Sequence, residues 1–488
     1  MLFWTGMKMH EKRRYEATDM RRITEALNQI VHSIECKNVL EIACGSGEFS
    51  LEAASIAHSV TCIDLDDSRL LPSVRDAENI VFLLMDAINL QMASDSVDVI
   101  VFYNALAHVE IDHYACETLR TRMKHYGYSE QEVKNAVLEA DITSEDIIDR
   151  LRDVVGDKSV DVIIGGPPCQ SFSSLGVAKD ENNMEDDPRN FLFESYVKIL
   201  NAFLPKVFVF ENVTGMLKAK VKRKKIFDLV SKELSVHYNI VKNPETIVLN
   251  ATHYGVPQER KRVILLGVRK DLKFTPDEVY SAITKTNYAP GEIPSDGQEK
   301  FVSVREAIDD LPWLRQGEGT PIAEYAKDVN ECSEYQRHMR ANSDNVLRCH
   351  VARINNVKDV ERYQVMALNH WNFLELLENR PDLGHEKKRV FFNSYKVQWW
   401  DTPSKTIIAH LYKDGNQFIH PDYTQGRSIT VREAARLQSF PDDFIFEGSR
   451  TEQFKQIGNA VPPLLAEAIA KAFRAYLSAP IEEEKNDI

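Results

Sequence analysis

Short apolar runs, each closed by glycine, proline or polar residues, recur along the chain and predict buried strands alternating with helices. The clearest run, Val160–Ile164, is apolar and β-branched and continues into the sequence GGPPCQSFS. We expect it to be a parallel strand that is buried on both faces. A second run, Val207–Phe210, leads directly into Glu211. Because the carboxyl ends of parallel strands meet at one edge of an open sheet, Cys169 and Glu211 are predicted to converge on one ligand.

The same strand–turn–helix pattern opens the chain, in residues 36–108. A glycine turn with Gly45 and Gly47 follows a predicted strand, and the helix after it would offer free backbone N–H groups to a ligand. Asp64 ends the next predicted strand, where it is placed to bind ribose hydroxyls. This segment resembles the first half of a class I S-adenosylmethionine (SAM) methyltransferase. A nucleotide-type fold with another use stays open, since the fold alone does not determine the ligand.

Regular elements continue to about residue 270, become scarce between 271 and 400, and return after 428. The polar stretch 171–190 predicts a long mobile loop. The segment 271–400, with its prolines and clustered aromatic residues, predicts a small domain of irregular strands and loops. The other predicted elements are a helix at His113–Lys124, a strand at Val137–Glu139, a helix at Phe191–Phe203, a hairpin of Ile247–Leu249 with Val263–Leu266, a helix capped by Thr430 and Glu433, and a last amphipathic helix at 464–473.

Composition and charge narrow the class of protein. The chain is 43% hydrophobic and 27% charged, and no apolar run is long enough to span a bilayer, so we expect it in the cytoplasm. Its seven scattered cysteines form no CxxC pair, which predicts reduced thiols and no metal site. The net charge of −14 excludes a protein that coats nucleic acid by bulk charge. Two local basic segments, Lys218–Lys225 and 260–270, are candidates for nucleic-acid contact, with solvated faces as the alternative.

Five motifs follow one another between residues 109 and 475: GGPPCQSFS, ENV, QERKR, TVREAARLQSFP and GNAVPP. In this order they resemble the DNA cytosine-5 methyltransferases. Each motif alone could arise by chance, whereas the full set in sequence is specific. The resemblance implies that residues 271–400 are a target recognition domain and that the C-terminal helix folds back onto the catalytic sheet.

The implied fold is α/β, a Rossmann-like, doubly wound SAM-methyltransferase sheet with a smaller, irregular target recognition domain. The expected organisation is a methyltransferase-like half domain (1–108), a catalytic core (109–270), the recognition domain (271–400), a segment that returns to the catalytic domain (401–475) and an acidic tail (476–488).

The resemblance also implies catalytic roles. Cys169 would add as a thiolate to C6 of cytosine, because C5 by itself is too poor a nucleophile to attack the methyl group of SAM. Glu211 would contact N3 and the exocyclic amine of the base. Arg262, with Arg260 in support, would hold O2 and offset the developing negative charge. The target base must leave the stacked duplex before this chemistry is possible.

Cofactor and DNA contacts are implied in the same way. Asp141 would lie at the adenine of SAM and Asn459 near its methionine end, while either Asp64 or Glu110 would bind the ribose. The implied cofactor set is Gly45, Gly47, Asp64, Glu110, Asp141, Pro168, Leu192 and Asn459. The implied DNA contacts are Gln170 and Ser171 beside the nucleophile and the basic cluster Lys387, Lys388 and Arg389 in the recognition segment.

The chain departs from the family pattern at its opening. The family begins with its own strand, a phenylalanine–glycine turn and a second strand that ends in an acid, whereas this chain has only Val109-Glu110-Ile111-Asp112. Two interpretations stay open. Val39–Ala43 docks beside the Cys169 strand and completes a composite SAM site, or a fusion has produced a protein that binds SAM poorly or not at all.

The function predicted first is site-specific methylation of cytosine C5 in duplex DNA, as the modification arm of a restriction–modification pair with a cognate endonuclease. One alternative is a catalytically impaired protein that binds its DNA site without methylating it. A second alternative, an RNA cytosine-5 methyltransferase, is disfavoured by the large recognition segment and by the GPPCQS context of Cys169.

Overall fold

A computed structural model describes residues 107–477 apart from 157–158, 168–191, 222–223 and 385–394, together with four strands before residue 107. The chain divides into two compact units, Met7–Leu106 and a larger unit of Met1–Gly6 with Ala107–Ile488. No helix among the described residues is both long and apolar enough to cross a membrane.

The smaller unit contains a parallel sheet. Its strands are β1 (Asn38–Ile42), β2 (Ser59–Asp64), β3 (Ile80–Leu84) and β4 (Val99–Val101). Their order in the sheet is β3-β2-β1-β4, which confirms the strands predicted in this part of the chain. Both edges of β1 are occupied, one by β2 and the other by β4. Val39–Ile42 therefore has no free edge at which the Cys169 strand could pair, while the composite SAM site itself stays a prediction.

The larger unit begins with alternating strands and helices. These elements are β5 (His108–Glu110), α1 (His113–His125), α2 (Glu130–Ala136), β6 (Val137–Glu139), α3 (Ile147–Val155), β7 (Val162–Gly165), α4 (Leu192–Phe203) and β8 (Val207–Val213). Strands β5 and β6 form one parallel pair, and β7 and β8 form another. The predicted helix at 113–124 and the strands at 137–139 and 207–210 are confirmed.

A second run of elements completes the main sheet, whose order is β11-β14-β8-β7, with β12 also paired to β14. The run comprises β9 (Lys220–Val221), β10 (Lys224–Lys225), α5 (Ile226–Leu234), β11 (Tyr238–Ile240), α6 (Pro244–Ile247), β12 (Val248–Asn250), β13 (Gln258–Glu259), β14 (Lys261–Arg269) and α7 (Pro276–Ala282). Strand β14 runs antiparallel to β8 and β12, which confirms the predicted hairpin.

Helices interrupt the segment that was expected to be irregular. The remaining elements are β15 (Asn287–Tyr288), β16 (Glu299–Lys300), α8 (Val304–Ile308), β17 (Gly319–Ala323), α9 (Glu334–Arg340), β18 (Leu347–Val351), α10 (Val357–Asn369), α11 (Phe373–Asn379), β19 (Ser404–Lys405), α12 (Val431–Leu437), α13 (Arg450–Asn459) and α14 (Pro463–Leu477). Short 3-10 helices lie at Thr214–Leu217, Ala251–Tyr254, Val329–Glu331, Pro381–Leu383 and Ala409–Tyr412. The expectation of strands and loops alone is wrong, since capping boxes at Ser333 and Asn372 start α9 and α11.

The C-terminal helix α14 packs on the main sheet, as predicted. Its residues Leu465, Ile469 and Phe473 are buried in the same apolar core as Phe208 of β8 and Val263 of β14. The returning segment therefore closes over the sheet through burial of one helix face, the usual source of stability for an amphipathic helix.

Strand β7 differs from its prediction. Its residues are half-buried, whereas the middle of β8 is fully buried. The reason is its pairing: β8 covers one edge of β7, and no strand in the described part of the chain pairs with the other edge. Ile163 of β7 nevertheless shares a small apolar cluster with Val109 of β5 and Leu138 of β6, without any strand pairing between them.

Buried charges hold the segment around α12. Arg427 donates two hydrogen bonds of 2.7 Å to the Glu433 carboxylate, which also accepts the backbone N–H of Thr430. The imidazole of His420 lies 3.5 Å from the same carboxylate, and its Nδ1 accepts the backbone N–H of Asp422. Because buried charges are tolerated only when they are paired, this ion pair and its hydrogen bonds must form together on folding.

Candidate active site

A carboxylate and a guanidinium meet at the carboxyl end of β8. Glu211 lies on β8 opposite Ile264 of β14, and Arg262 lies two residues before Ile264 on the same strand. Both side chains are therefore on one face of the sheet, as diagonal neighbours. Arg262 Nε donates to Glu211 Oε1 across 3.0 Å, and the two side chains are only 12% and 17% exposed. The structure thus brings together two of the four predicted catalytic residues.

The surroundings shift the acidity of both groups. Burial raises the pKa of Glu211, and the positive charges of Arg262 and Arg260 act against this rise. Burial also lowers the pKa of Arg262, which the adjacent Glu211 opposes. A carboxyl group with a raised pKa keeps its proton more readily than one in water, so Glu211 is suited to donating a hydrogen bond to a bound ligand.

Glycine is required where the backbone approaches this carboxylate. A Cβ atom placed on Gly166, just after β7, would lie 2.9 Å from Glu211 Oε2. The neighbouring Pro167 is tied to β8, because Asn212 Nδ2 donates to its carbonyl oxygen across 3.2 Å. The end of β7 is therefore held beside Glu211, two residues before Cys169 in the chain. Neither Gly166 nor Asn212 was among the predicted site residues, although the place of Asn212 in the ENV motif was a signal for it.

Several predicted site residues lie outside the described residues, so their placement stays a prediction. They are Gly45, Gly47, Pro168, Cys169, Gln170, Ser171, Lys387, Lys388 and Arg389.

Arg260 has different neighbours from those predicted. It precedes β14 and is fully buried, and its guanidinium donates to the backbone carbonyl oxygens of Ile407 (2.7 Å), Gly458 (3.2 Å) and Ala460 (3.0 Å). Its hydrogen bonds thus go to the returning segment and not to Glu211. The resemblance implies that Arg260 supports Arg262 at the base, whereas its guanidinium is bonded to the backbone around Ile407 and in the GNAVPP turn.

Gln258, which was not among the predicted site residues, is bonded to the same returning segment as Arg260. Gln258 is fully buried, and its Nε2 donates to the Leu437 carbonyl (3.0 Å) and to Gln438 Oε1 (2.7 Å). Its Oε1 accepts the backbone N–H of Ile407. Gln258 and Arg260 therefore join the strand that carries Arg262 to the chain segments around residues 407, 438 and 458. Its position in the QERKR motif was the available signal.

The predicted adenosine-binding residues Glu110 and Asp141 lie at the carboxyl ends of the parallel strands β5 and β6. Glu110 ends β5, and its Oε1 accepts the backbone N–H groups of Ile111 and Asp112. Asp141 follows β6, whose Glu139 is in register with Glu110. Hydrogen bonds from Thr143 lower the pKa of Asp141 and keep it ionised. Glu110 Oε2 has no partner among the described residues, so an oxygen is free to accept a hydroxyl, which fits the ribose of SAM.

The remaining cofactor candidates are distributed over other elements. Leu192 begins α4 and is half-buried, Asn459 ends α13 and is exposed, and Asp64 ends β2 in the smaller unit. The two candidates for the ribose, Asp64 and Glu110, thus belong to different units. Within the described residues, no group of three or more His, Cys, Asp or Glu side chains could hold a metal ion.

Comparisons with known proteins identify the family of the chain. The family described as C-5 cytosine-specific DNA methylase matches residues 87–475, and a family described as methyltransferase domain matches residues 39–127. The chain is 38% identical to the type II methyltransferase M.Bpa9945I of Bacillus paralicheniformis, over 66% of this chain and 71% of that protein. It is 36% identical to the type II methyltransferase M.DdeI of Desulfomicrobium norvegicum, over 77% of this chain and 84% of that protein.

A solved structure shares the fold. A crystal structure described as a DNA modification methyltransferase encoded within a prophage of E. coli superposes with a TM-score of 0.53 at 22% identity, covering 91% of this chain and all of that one. At this identity the likeness establishes the fold, an α/β methyltransferase fold, as the sequence predicted.

Proposed function

The chain belongs to the C-5 cytosine-specific DNA methylase family, and from this premise we propose that it transfers a methyl group from SAM to C5 of a cytosine flipped out of duplex DNA, through a covalent adduct on Cys169. Membership of this family establishes that the chain is a DNA methyltransferase. The adduct, the flipped base and the identity of the site residues are the proposal.

One observation supports the proposal above the others: the buried Glu211–Arg262 pair lies at the sheet end where β7 leads into Cys169. The hydrogen bond from Asn212 to the Pro167 carbonyl and the close packing of Gly166 on Glu211 hold the end of β7 beside that pair. A pyrimidine has a ring nitrogen, an exocyclic amine and a carbonyl oxygen on one edge, which an acid and a guanidinium together can satisfy. A base read on this edge must first leave the stack.

The residues act in sequence on the base. The Cys169 thiolate adds to C6, and the electron pair of the C5–C6 bond becomes available at C5 while Glu211 donates a hydrogen bond to N3. Arg262 faces O2 and stabilises the negative charge that develops there. After C5 has taken the methyl group, its proton leaves to solvent, the C5–C6 double bond reforms and the thiolate departs. Arg260 acts through its backbone bonds, as a positioning residue.

SAM supplies the methyl group when it is bound. The residues that would hold it in the larger unit are Glu110 at the ribose, Asp141 at the adenine, Pro168 and Leu192 along the molecule, and Asn459 at the methionine end. Gly45, Gly47 and Asp64 are the competing set in the smaller unit. Calorimetry with SAM on the Glu110→Gln and Asp64→Asn variants separates the two sets, since only the true ribose ligand changes the dissociation constant on substitution.

The adduct is tested with DNA in which 5-fluorocytosine replaces cytosine, so that the recognised sequence need not be known. The fluorine blocks loss of the C5 substituent, and the wild-type chain incubated with SAM should form a complex that survives denaturing electrophoresis. Cys169→Ala should abolish this complex. Cys349→Ala, a change at a half-buried cysteine of the recognition segment, should not. An adduct that persists in Cys169→Ala would show that the nucleophile is another residue.

A second candidate function is DNA binding without methylation. It is favoured by the pairing of β7 on one edge only within the described residues, because an incomplete sheet would bind SAM poorly. Calorimetry decides between the two: absence of heat at millimolar SAM, together with DNA binding, would support the second candidate and contradict the first.

The substrate class and the biological partner need separate measurements. Tritium from labelled SAM should enter duplex DNA and not transfer RNA. If the protein is the modification arm of a restriction–modification pair, as the similarity to type II methyltransferases supports, long-read sequencing of cells that express it should show one short methylated sequence. That sequence should be protected from a cognate endonuclease.

A further inference from the structure

Positive charge is concentrated in one short segment of this acidic chain. Six of the eight residues from Lys218 to Lys225 are lysine or arginine, in the sequence KAKVKRKK. The whole chain has a net charge of −14, so without these six cations it would be −20. A strongly negative protein repels a polyanion over most of its surface, and a local cluster of cations is then required wherever a polyanion is bound.

The lysines of this segment are free to bind. Lys218, Lys220, Lys224 and Lys225 are all exposed, and none of them forms an ion pair with a carboxylate within the part of the chain that the structure describes. Many other basic side chains of the larger unit do have carboxylate partners. An unpaired surface ammonium group can exchange its water and counterions for a phosphate without first breaking a salt bridge.

The segment is also fixed in place. Lys220 and Val221 of β9 pair with Lys225 and Lys224 of β10 in an antiparallel hairpin. The backbone N–H of Ile226 donates to the Ala219 carbonyl, and Ile226 itself is buried in the main core. We call residues 218–221 with 224–225 the basic hairpin. The backbone that carries these cations is already ordered, so little backbone conformational entropy is lost when they bind.

The basic hairpin lies at the sheet end that carries the catalytic pair. It follows β8 after one short 3-10 helix, Thr214–Leu217, and β8 is the strand that presents Glu211 at its carboxyl end. A duplex that places a base against Glu211 must run along this end of the sheet. Its phosphates are then the polyanion nearest to the hairpin.

From these observations we propose that the basic hairpin contacts the phosphate backbone of duplex DNA near the flipped base and supplies sequence-independent affinity. The proposal rests on the proposed function, which names duplex DNA as the substrate. The contacts position the duplex and do not read its sequence, because lysine–phosphate contacts carry no base information.

The test compares two variants with the same change in net charge. The hairpin variant is Lys220→Gln with Lys224→Gln and Lys225→Gln. The control is Lys198→Gln with Lys232→Gln and Lys270→Gln, exposed lysines on α4, on α5 and after β14. Lys270 lies at the opposite sheet end, since Val268 of β14 is in register with Val207 of β8. Binding of the full-length protein to a labelled duplex of mixed sequence is measured between 50 and 200 mM salt, and thermal melting checks that both variants fold.

The expected result is a change in salt dependence that is specific to the hairpin. Each lost phosphate contact lowers the slope of log K against log salt by about 0.9, so the hairpin variant should lose up to about 2.7 in slope. Over the fourfold salt range this is a roughly 40-fold smaller change in affinity than for the wild type. The control should keep the wild-type slope.

Other results overturn the proposal in distinguishable ways. An equal loss of slope in both variants would mean that only net charge matters. A hairpin variant with the wild-type slope would mean that these lysines form a solvated face. Either result leaves the proposed function intact. A wild-type chain that binds no duplex would contradict both proposals. Stronger competition by structured RNA than by duplex DNA, at equal phosphate concentration, would mean that RNA is the partner.

Discussion

At the scale of single residues, the site depends on how closely the backbone after β7 approaches Glu211. Two consecutive glycines, Gly165 and Gly166, each lie close to a neighbouring side chain, and the two neighbours differ. A Cβ on Gly166 would meet the Glu211 carboxylate at 2.9 Å, whereas a Cβ on Gly165 would meet the Tyr196 ring of α4 at 2.5 Å. Tyr196 in turn donates to the Val209 carbonyl inside the core. Gly166 thus lies against the candidate active site, and Gly165 lies against the apolar core.

Substituting each glycine by alanine should separate these roles. Gly166→Ala should reduce adduct formation at least tenfold and change the melting temperature little, since the displaced atom is the end of a side chain in the site. Gly165→Ala should cost about 1–3 kcal/mol of stability, the usual price of overpacking. Thermal melting and the 5-fluorocytosine trap, applied to both variants, make the comparison. Equal loss of stability in the two would contradict the division.

Arg262 should control the acidity of Glu211. In Arg262→Gln the positive charge that lowers the pKa of Glu211 is gone, so that pKa should rise above its already raised value. We expect methyl transfer to fall by about 100-fold, the order found when one donor to a developing charge is removed. The pH above which activity declines should move upward, because Glu211 holds its proton longer. Initial rates of tritium transfer between pH 5 and 9 measure both effects, and a profile of unchanged shape would show that Glu211 does not titrate in the reaction.

At the scale of elements, a few buried side chains connect β14 to the returning segment. Arg260 donates to three backbone carbonyl oxygens, and Gln258 is bonded to α12 and to the segment around Ile407. These bonds join chain segments that are about 150 to 200 residues apart in sequence. The strand that presents Arg262 therefore depends on the C-terminal segment for its own position.

Loss of this connection should reduce stability more than any surface substitution. Arg260→Ala leaves the carbonyl groups of Ile407 and Gly458 without their donor, whereas the Ala460 carbonyl keeps Gln438 Nε2. We expect a cost of about 3 kcal/mol or more. Arg305→Ala is the matched control, because Arg305 pairs with Asp401 on the surface and such pairs contribute at most about 1 kcal/mol. Urea unfolding of both variants gives the comparison. Similar midpoints would mean that the carbonyl groups find other donors.

At the scale of the whole molecule, the buried ionisable groups around α12 make stability depend on pH. Burial lowers the pKa of His420 from 6.5 to about 3. Its Nδ1 accepts the backbone N–H of Asp422, so protonation there also breaks a hydrogen bond. Arg427 and His420 hold the pKa of Glu433 well below its ordinary value despite its burial. Both groups bind more protons in the unfolded chain than in the folded one, so acid favours unfolding.

The pH window follows from these directions. The contribution of His420 is complete above pH 6.5 and declines as the pH falls toward about 3, and that of Glu433 declines below about 4.5. At pH 5 the His420 contribution should have fallen by about 2 kcal/mol. His420→Asn keeps an acceptor for Asp422 and cannot titrate, so the urea midpoint of this variant should change less between pH 7 and pH 5 than that of the wild type. Parallel pH dependence in the two would contradict the assignment to His420.

The smaller and larger units each have part of the methyltransferase sheet pattern. The smaller unit has the order β3-β2-β1-β4, and the larger has the separate parallel pairs β5–β6 and β7–β8. A sequence pattern could predict the strands of both units, because apolar runs and turn residues are local. It could not predict that β1 would already be paired on both edges, because pairing joins strands that are distant in the chain.

The sequence by itself determined strands β6, β7, β8, β12 and β14, helices α1, α4, α12 and α14, the capping box at Thr430 and the order of the five motifs, since each depends on residues within a few positions of one another. It also singled out Glu211 and Arg262. Only the tertiary structure decided that these two side chains meet, because their contact requires β14 to run antiparallel to β8 in one register. In the same way, the partners of Arg260 were decided by the return of residues 407 and 458–460 to the sheet. A side chain's type is local information, whereas its neighbours are set by how distant segments pack.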